Sequence, residues 1–241
     1  MSQSPKPPSF LSILRPLSDI EKLQHERQDE KPLDAHMALL KTWQSQRLAR
    51  TYADLLASPR YRLACLFFLE DIYAPRDFSQ RDHDVTEMYA FMQRFVPETL
   101  LRPLTKTIKL YDLTNHLDAQ LLDVLVHQLG VTDQITEAQY AEAYRLCDNY
   151  PERVKQIEAI YQIGQQLGDI IRLPLTGTAL RVASVPSRRA GWTELVDFME
   201  RGYRAFSHMG GAKYFLDTIR KRERRILDKI YAQEAEPFKF D

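Results

Sequence analysis

KTIKLYDLTNHLDAQLLDVLVHQLG, residues 106–130, gives the clearest indication of the fold class of this 241-residue chain. Its central apolar residues recur at intervals of three and four, and they are Leu113, Leu117, Leu121, Val124 and Leu125. That spacing places them on one side of an α-helix. Gly130 follows as a residue type that readily ends a helix. The segment therefore predicts a long amphipathic helix over Lys106–Leu129.

The same spacing continues in both directions along the chain. It predicts further helices over Leu33–Ala57, Tyr61–Tyr73, Asp82–Val96, Thr136–Cys147, Glu152–Leu173, Thr193–Ser207 and Ala212–Gln233. Pro174–Ala190, with its Pro, Thr, Gly and Ser residues, is the least regular stretch. No long segment alternates apolar and polar residues between hairpin signals. We predict an all-α fold, a single-domain bundle of about eight or nine helices.

Amino-acid composition suggests the class of the protein and how the chain is organised. Lys plus Arg and Asp plus Glu each number 33, hydrophobic residues make up 44%, and these are values of a globular protein. Only 8 residues are Gly, which disfavours propellers, jelly rolls and Rossmann sheets. We expect a loosely ordered N-terminal segment over residues 1–32, the helical bundle over 33–236, and a tail over 237–241.

Two cysteines and the hydropathy pattern bear on location. Cys65 and Cys147 both lie in apolar helical surroundings, and two cysteines make no disulfide framework. The longest uninterrupted apolar run is Leu63–Leu69, whereas a membrane span needs about 20 apolar residues. The sequence therefore predicts a soluble protein of the reducing cytoplasm that is neither exported nor membrane-spanning.

The stretch Phe67-Phe68-Leu69-Glu70-Asp71-Ile72-Tyr73 resembles the signature of a bacterial family named for its Phe-Phe-Leu-Glu-Glu-Leu-Tyr (FFLEELY) motif. Glu200-Arg201-Gly202-Tyr203 and Met209-Gly210-Gly211-Ala212 are also similar to that family. Some of its members are labelled 3-oxoacyl-ACP synthases, which are thiolase-like α/β enzymes with a nucleophilic Cys at a glycine-rich turn. Neither cysteine here has that context, so the label is unsupported and the resemblance implies no catalytic residues.

Four charged residues interrupt apolar helical patterns and are candidates for an internal ligand pocket. Glu70 and Asp71 lie in a helix that is apolar nearly all round, Glu223 lies within the apolar stripe of the last helix, and Arg153 breaks an apolar face in the same way. A buried carboxylate must be hydrogen-bonded, paired or protonated. One interpretation is a polar cavity, by analogy with haem-oxygenase-like bundles. The favoured one is structural: a Glu223–Arg153 ion pair, and a carboxylate that ties the following loop to the bundle.

Charge is unevenly distributed along the neutral chain. Residues 110–144 contain six acidic residues and no Lys or Arg, while residues 172–229 contain thirteen basic and six acidic residues. The sharpest basic run supplies the anion-binding candidates Arg220, Lys221, Arg222, Arg224 and Arg225. A basic helix can bind nucleic acid, but the neutral net charge does not favour it. The alternative is that acidic and basic faces meet within the fold or across a dimer.

A repeated Asp-x-x-x-His pattern falls on one helix face at Asp112, His116, Asp123 and His127. This spacing is compatible with a metal site in principle. The apolar arc of the same helix lies opposite, however, so we interpret the stripe as its solvated face. We predict no metal site and no cofactor.

No zinc-protease, Walker, nucleophile-elbow or dinucleotide-binding motif occurs in the sequence. The preferred prediction is therefore a non-catalytic interaction or scaffold protein that contacts itself, as a homodimer, or a protein partner through helix faces. A helical-bundle enzyme or small-ligand-binding protein with an internal polar pocket is the alternative, and an anion or nucleic-acid binder is third.

Overall fold

A computed structural model describes most of the chain from Asp34 onward. The described residues are 34–73, 84–85, 87–89, 98–189 and 191–240, with the side chains of 98–104 excepted. They form helices and turns with no β-strand, which confirms the all-α prediction. The predicted N-terminal segment 1–32 and most of the predicted helix Asp82–Val96 lie outside the described residues.

The first half of the described chain contains four helices, two of which end in a π-helical turn. They are α1 (Ala35–Thr51), α2 (Ala53–Ala57), α3 (Arg62–Phe67) with the π turn Phe68–Ile72, and α4 (Glu98–Asp123) with the π turn Val124–Gln128. Asp34 caps α1 by accepting hydrogen bonds from the backbone N–H groups of His36 and Met37. The predicted helix Lys106–Leu129 is confirmed, although it begins earlier, at Glu98.

The second half supplies five helices. They are α5 (Glu137–Cys147), α6 (Tyr150–Arg172), α7 (Thr176–Arg189), α8 (Thr193–Met209) and α9 (Lys213–Tyr231). Thr136 and Gln139 form a capping box at the start of α5. Gly210, with a φ of 64°, ends α8 in the left-handed conformation that glycine favours.

The expectation that Pro174–Ala190 is irregular is wrong, because α7 occupies most of it. Its small residues serve close packing rather than turns. Ser184 and Ser187 are buried, and a Cβ at Gly177 would collide with the Tyr203 hydroxyl of α8. Composition alone therefore suggested a loop where the helix needs small residues against its neighbour.

Helix α6 lies at the centre of the bundle, between α4 and α9. Gly164 allows the close approach of α6 and α9, because a Cβ at this position would lie 2.5 Å from a methyl carbon of Leu216. A second helix pair, α3 and α8, packs beside them. Beyond α9 the chain returns to the bundle. Phe238, in the predicted tail, packs edge-on against Trp43, with ring centroids 5.6 Å apart.

Candidate functional site

A cavity of about 110 Å³, lined by more apolar than polar surface, lies inside the bundle, among α1, α4, α5, α6 and α9. Its polar lining comprises Gln44, Arg47, Tyr52, Tyr73, Thr114, Asp118, Tyr140, Tyr144, Arg153, Gln156 and Glu223. The volume admits several water molecules or one small molecule. It is below the roughly 300–1,000 Å³ typical of pockets for drug-sized ligands.

One side of the cavity is formed by a three-residue cluster around Glu223. Arg47 of α1 donates to Glu223 Oε1 from a guanidinium nitrogen at 2.5 Å, and the Tyr52 hydroxyl donates to the same oxygen at 2.7 Å. Burial opposes the charge on Arg47, but Glu223 outweighs it and raises the pKa of that guanidinium. Burial, together with the charge of Glu223, raises the pKa of Tyr52 well above its usual value. The cluster is therefore an ion pair with a neutral phenol.

Asp118 of α4 also lines the cavity and is buried. Its Oδ1 accepts a hydrogen bond from Gln44 Nε2 at 3.1 Å and lies 3.9 Å from a guanidinium nitrogen of Arg153. Burial raises the pKa of Asp118, against the opposing effects of Arg153 and of the Gln44 hydrogen bond. The carboxylate thus has one direct neutral donor and a cation beyond hydrogen-bond distance.

Arg153 of α6 is the most deeply buried charged group of the site, with 3% of the residue exposed. It donates to the Leu117 carbonyl oxygen at 3.0 Å and to Gln156 Oε1 at 3.3 Å. Its guanidinium also lies over the Tyr144 ring, 4.4 Å from the centroid. The buried Nε atoms of Arg153 and Arg47 have no hydrogen-bond partner. Each of the two guanidinium groups therefore has one buried donor that the described residues do not satisfy.

Neutral groups complete the lining. The Tyr140 hydroxyl donates to the Tyr144 hydroxyl at 3.2 Å, and Tyr73 reaches the cavity at the end of the first π turn. Cys65 also lines it, and burial raises the pKa of this thiol to about 11. A thiol with that pKa is protonated at neutral pH and is a poor nucleophile. The arrangement is suited to binding a polar molecule rather than to covalent chemistry at Cys65.

The cavity is close to a depression at the protein surface. This depression, of about 340 Å³, is formed by the end of α1 and the C-terminal segment after α9. Arg47 and Phe238 line both the depression and the internal cavity. These two side chains therefore separate the cavity from the surface on this side.

The four pocket candidates named from the sequence fall in different places. Glu223 and Arg153 line the cavity, but the predicted pair between them is wrong, since Glu223 pairs with Arg47. Glu70 is exposed rather than buried. Asp71 is buried outside the cavity lining and pairs with Arg201 of α8 at 2.6 Å.

The Glu70 error arose because a helix that is apolar nearly all round was expected to be buried on every side. Leu63, seven residues earlier and therefore on the same helix face as Glu70, is 39% exposed. The sequence analysis also missed Gln44 and Arg47. Both lie on the buried stripe of α1 with Leu40 and Trp43, where they interrupt it as Glu223 interrupts the stripe of α9. The same criterion, applied to α1, finds them.

Most of the basic run on α9 is matched by acidic residues of the same chain. Arg222 contacts both carboxylate oxygens of Asp54 at 2.7 and 2.8 Å. Arg220 lies 3.5 Å from Glu158, and Arg224 lies 3.2 Å from Asp228. Lys221 and Arg225 are exposed. The run is therefore largely occupied by intramolecular contacts.

The Asp-x-x-x-His stripe is solvated, as interpreted from the sequence. Asp112, His116, Asp123 and His127 are all exposed. Within the described ranges, no three His, Cys, Asp or Glu side chains are grouped so as to hold a metal ion. The helices in these ranges are also too short or too polar to cross a lipid bilayer.

Comparison with known proteins identifies a family and gives no further relative. No curated protein and no solved structure matches this chain. Residues 23–237 match the family described as a domain of unknown function, DUF8198. The match covers nearly all of the described bundle, so the chain belongs to the DUF8198 family.

Proposed function

We propose that this protein binds a small polar molecule in the cavity between Arg47 and Arg153. The observation that carries the proposal is the presence of two buried guanidinium groups, each with an unpartnered Nε, around a cavity of about 110 Å³. Burying charges costs several kcal/mol per ion even after relaxation. Apolar residues of similar volume often stabilise an interior equally well or better. A ligand that contacts these guanidinium groups gives the buried charges of the lining a function.

Native mass spectrometry of the full-length chain tests this proposal. We expect a mass above that of the 28.2 kDa polypeptide and release of one small compound on denaturation. Ile160→Phe fills the cavity from α6, where Ile160 is part of the lining, and should abolish the extra mass. Leu167→Phe, at an exposed position of the same helix, is the matched control.

Two results together would contradict binding. One is a native mass equal to that of the polypeptide alone. The other is a thermal-shift panel of small polar compounds in which none stabilises the wild-type protein more than it stabilises Ile160→Phe. A cavity filled only with water gives both results.

The interaction function preferred from the sequence is the second candidate, and one observation favours it. Val182 and Val185 lie one turn apart on α7 and each is more than half exposed, as are Leu173 and Leu175 in the turn before this helix. Clustered apolar exposure of this kind is typical of interaction sites. Light scattering of the wild type and of Val182→Glu tests self-association through this face. A wild-type protein that is monomeric at high concentration would rule out the homodimer.

The location and origin that we propose are those of a cytoplasmic bacterial protein. Cys65 and Cys147 are free thiols, as is usual in a reducing compartment. The resemblance of Phe67–Tyr73 to the FFLEELY motif supports a bacterial origin.

A further inference from the structure

We infer that the ligand is a small planar oxyanion, a carboxylate or a group of similar shape and charge, held through Arg153. This inference rests on the proposed function and names its ligand class. It begins from the two arginines of the cavity, which differ in how their charges are matched. Arg47 donates directly to the carboxylate of Glu223 at 2.5 Å, so its positive charge has a hydrogen-bonded anion.

Arg153 has no such partner among the described residues. Its two hydrogen bonds go to neutral acceptors, the Leu117 carbonyl and the Gln156 amide. The aromatic face of Tyr144 is neutral as well. The nearest carboxylate oxygen belongs to Asp118 and is 3.9 Å away, outside hydrogen-bond distance.

Asp118 is also a poor counter-ion for Arg153 on other grounds. Its Oδ1 already accepts from Gln44, and burial favours the neutral acid by raising the pKa of this carboxyl. The cavity lining carries two guanidinium groups, those of Arg47 and Arg153, and of these only Arg47 has a carboxylate within hydrogen-bond distance. An incoming anion would give Arg153 the direct anionic partner that Arg47 already has.

The donor set and the size of the cavity define the class further. Guanidinium groups match the flat, two-oxygen edge of a carboxylate or of an isosteric anion. Both guanidinium-bearing residues, Arg153 and Arg47, line the cavity. A cavity of about 110 Å³ accepts an anion of a few non-hydrogen atoms, whereas a nucleotide or a long acyl chain needs a larger pocket.

Isothermal titration of the full-length chain with sodium acetate, sodium formate and sodium nitrate tests the inference. Acetamide, which has the shape of acetate without its charge, is the neutral comparison ligand. Sodium gluconate, whose anion exceeds the cavity, keeps the ionic strength constant. We expect at least one of the three anions to bind, and acetamide to bind about tenfold more weakly or not at all.

Two substitutions locate the contact. Arg153→Met removes the charge and keeps a long side chain, and it should weaken anion binding about tenfold or more. Arg153→Lys keeps the positive charge but not the planar guanidinium group, and it replaces Arg153→Met in the titration if that variant does not fold. Arg181→Met, at an exposed position on α7, is the matched control and should leave binding unchanged.

The outcomes separate this inference from the proposed function. Acetamide that binds as tightly as acetate, or anion binding unaffected by either Arg153 substitution, would overturn the oxyanion while leaving a polar ligand in place. No binding of any of the three anions would also overturn it, and native mass spectrometry then decides whether the cavity holds another molecule. If neither Arg153 variant folds, the acetate–acetamide comparison in the wild type is decisive.

Discussion

Replacing Glu223 with Gln removes the negative charge of the Arg47 pair while it preserves the shape of the side chain. The amide oxygen of Gln can still accept from Arg47 and from the Tyr52 hydroxyl. Arg47 is 7% exposed, so its charge gains little from water once the carboxylate is gone. The substitution therefore isolates the electrostatic contribution of the pair from its packing.

The structure sets the expected magnitude. Two hydrogen bonds converge on Oε1 of Glu223, and each loses roughly 0.5–1.5 kcal/mol on average when its acceptor becomes neutral. Breaking a fully buried pair costs about 3–5 kcal/mol, and the Glu223 side chain is 19% exposed, so the lower part of that range applies. The two estimates meet at about 3 kcal/mol, which is the loss in free energy of unfolding that we expect for Glu223→Gln.

Urea denaturation at neutral pH measures this loss. The same assay on Arg47→Met, on Glu223→Leu and on the variant with both substitutions gives a double-mutant cycle for the pair. Because an apolar pair can replace a buried ion pair with little loss, the double variant should be more stable than the sum of the single losses implies. Glu158→Gln is the matched surface control. Its partner Arg220 lies 3.5 Å away, and we expect a change within about 1 kcal/mol. A Glu223→Gln loss no larger than that of the control would refute the reasoning.

Three further predictions concern packing, capping and protonation. Gly164→Ala should destabilise the protein by about 1–3 kcal/mol, because the added Cβ would lie 2.5 Å from a methyl carbon of Leu216. Thermal unfolding measures the loss, and an unchanged melting temperature would contradict the close approach of α6 and α9. Thr136→Ala should cost about 0.5–2 kcal/mol through the lost capping box, and Thr132→Ala in the preceding loop is the control in the same assay. For Asp118, burial raises the pKa in the folded state, so the native protein binds a proton more readily than the unfolded chain does. The stability of the protein therefore falls as pH rises from about 4 through the folded pKa. The stability of wild type relative to Asp118→Asn should therefore decrease between about pH 4 and pH 7 in urea denaturation, and an increase over that interval would contradict the raised pKa.

The sequence predicts the fold well where one period governs a whole helix. The spacing of Leu117, Leu121 and Leu125 marks the buried face of α4, and all three are fully buried in the structure. The sequence-based prediction fails where small residues are needed for packing against a neighbouring helix. The small residues of α7, such as Ser184, resemble those of a loop until the neighbouring helix is known.

The candidate site was predicted only in part, for a different reason. Charged residues on apolar stripes point to the cavity, and this criterion finds Glu223 and Arg153. Which charges pair depends on how the helices pack in three dimensions, and the sequence does not determine that Arg47, 176 positions from Glu223, is the partner. Glu70 was misplaced because its helix face is exposed although it carries the apolar residue Leu63.

Charges are matched differently on the surface and in the interior, and this difference argues for a function inside the bundle. Arg222, partly exposed on α9, has two carboxylate oxygens within 2.8 Å, although water would solvate its charge at little cost. Arg153, where desolvation is expensive, has its nearest carboxylate at 3.9 Å. Selection for stability alone would favour the reverse, since a direct partner contributes most where water is excluded. The incompletely matched positive charge in the interior is therefore the feature of this protein that most requires a ligand to explain it.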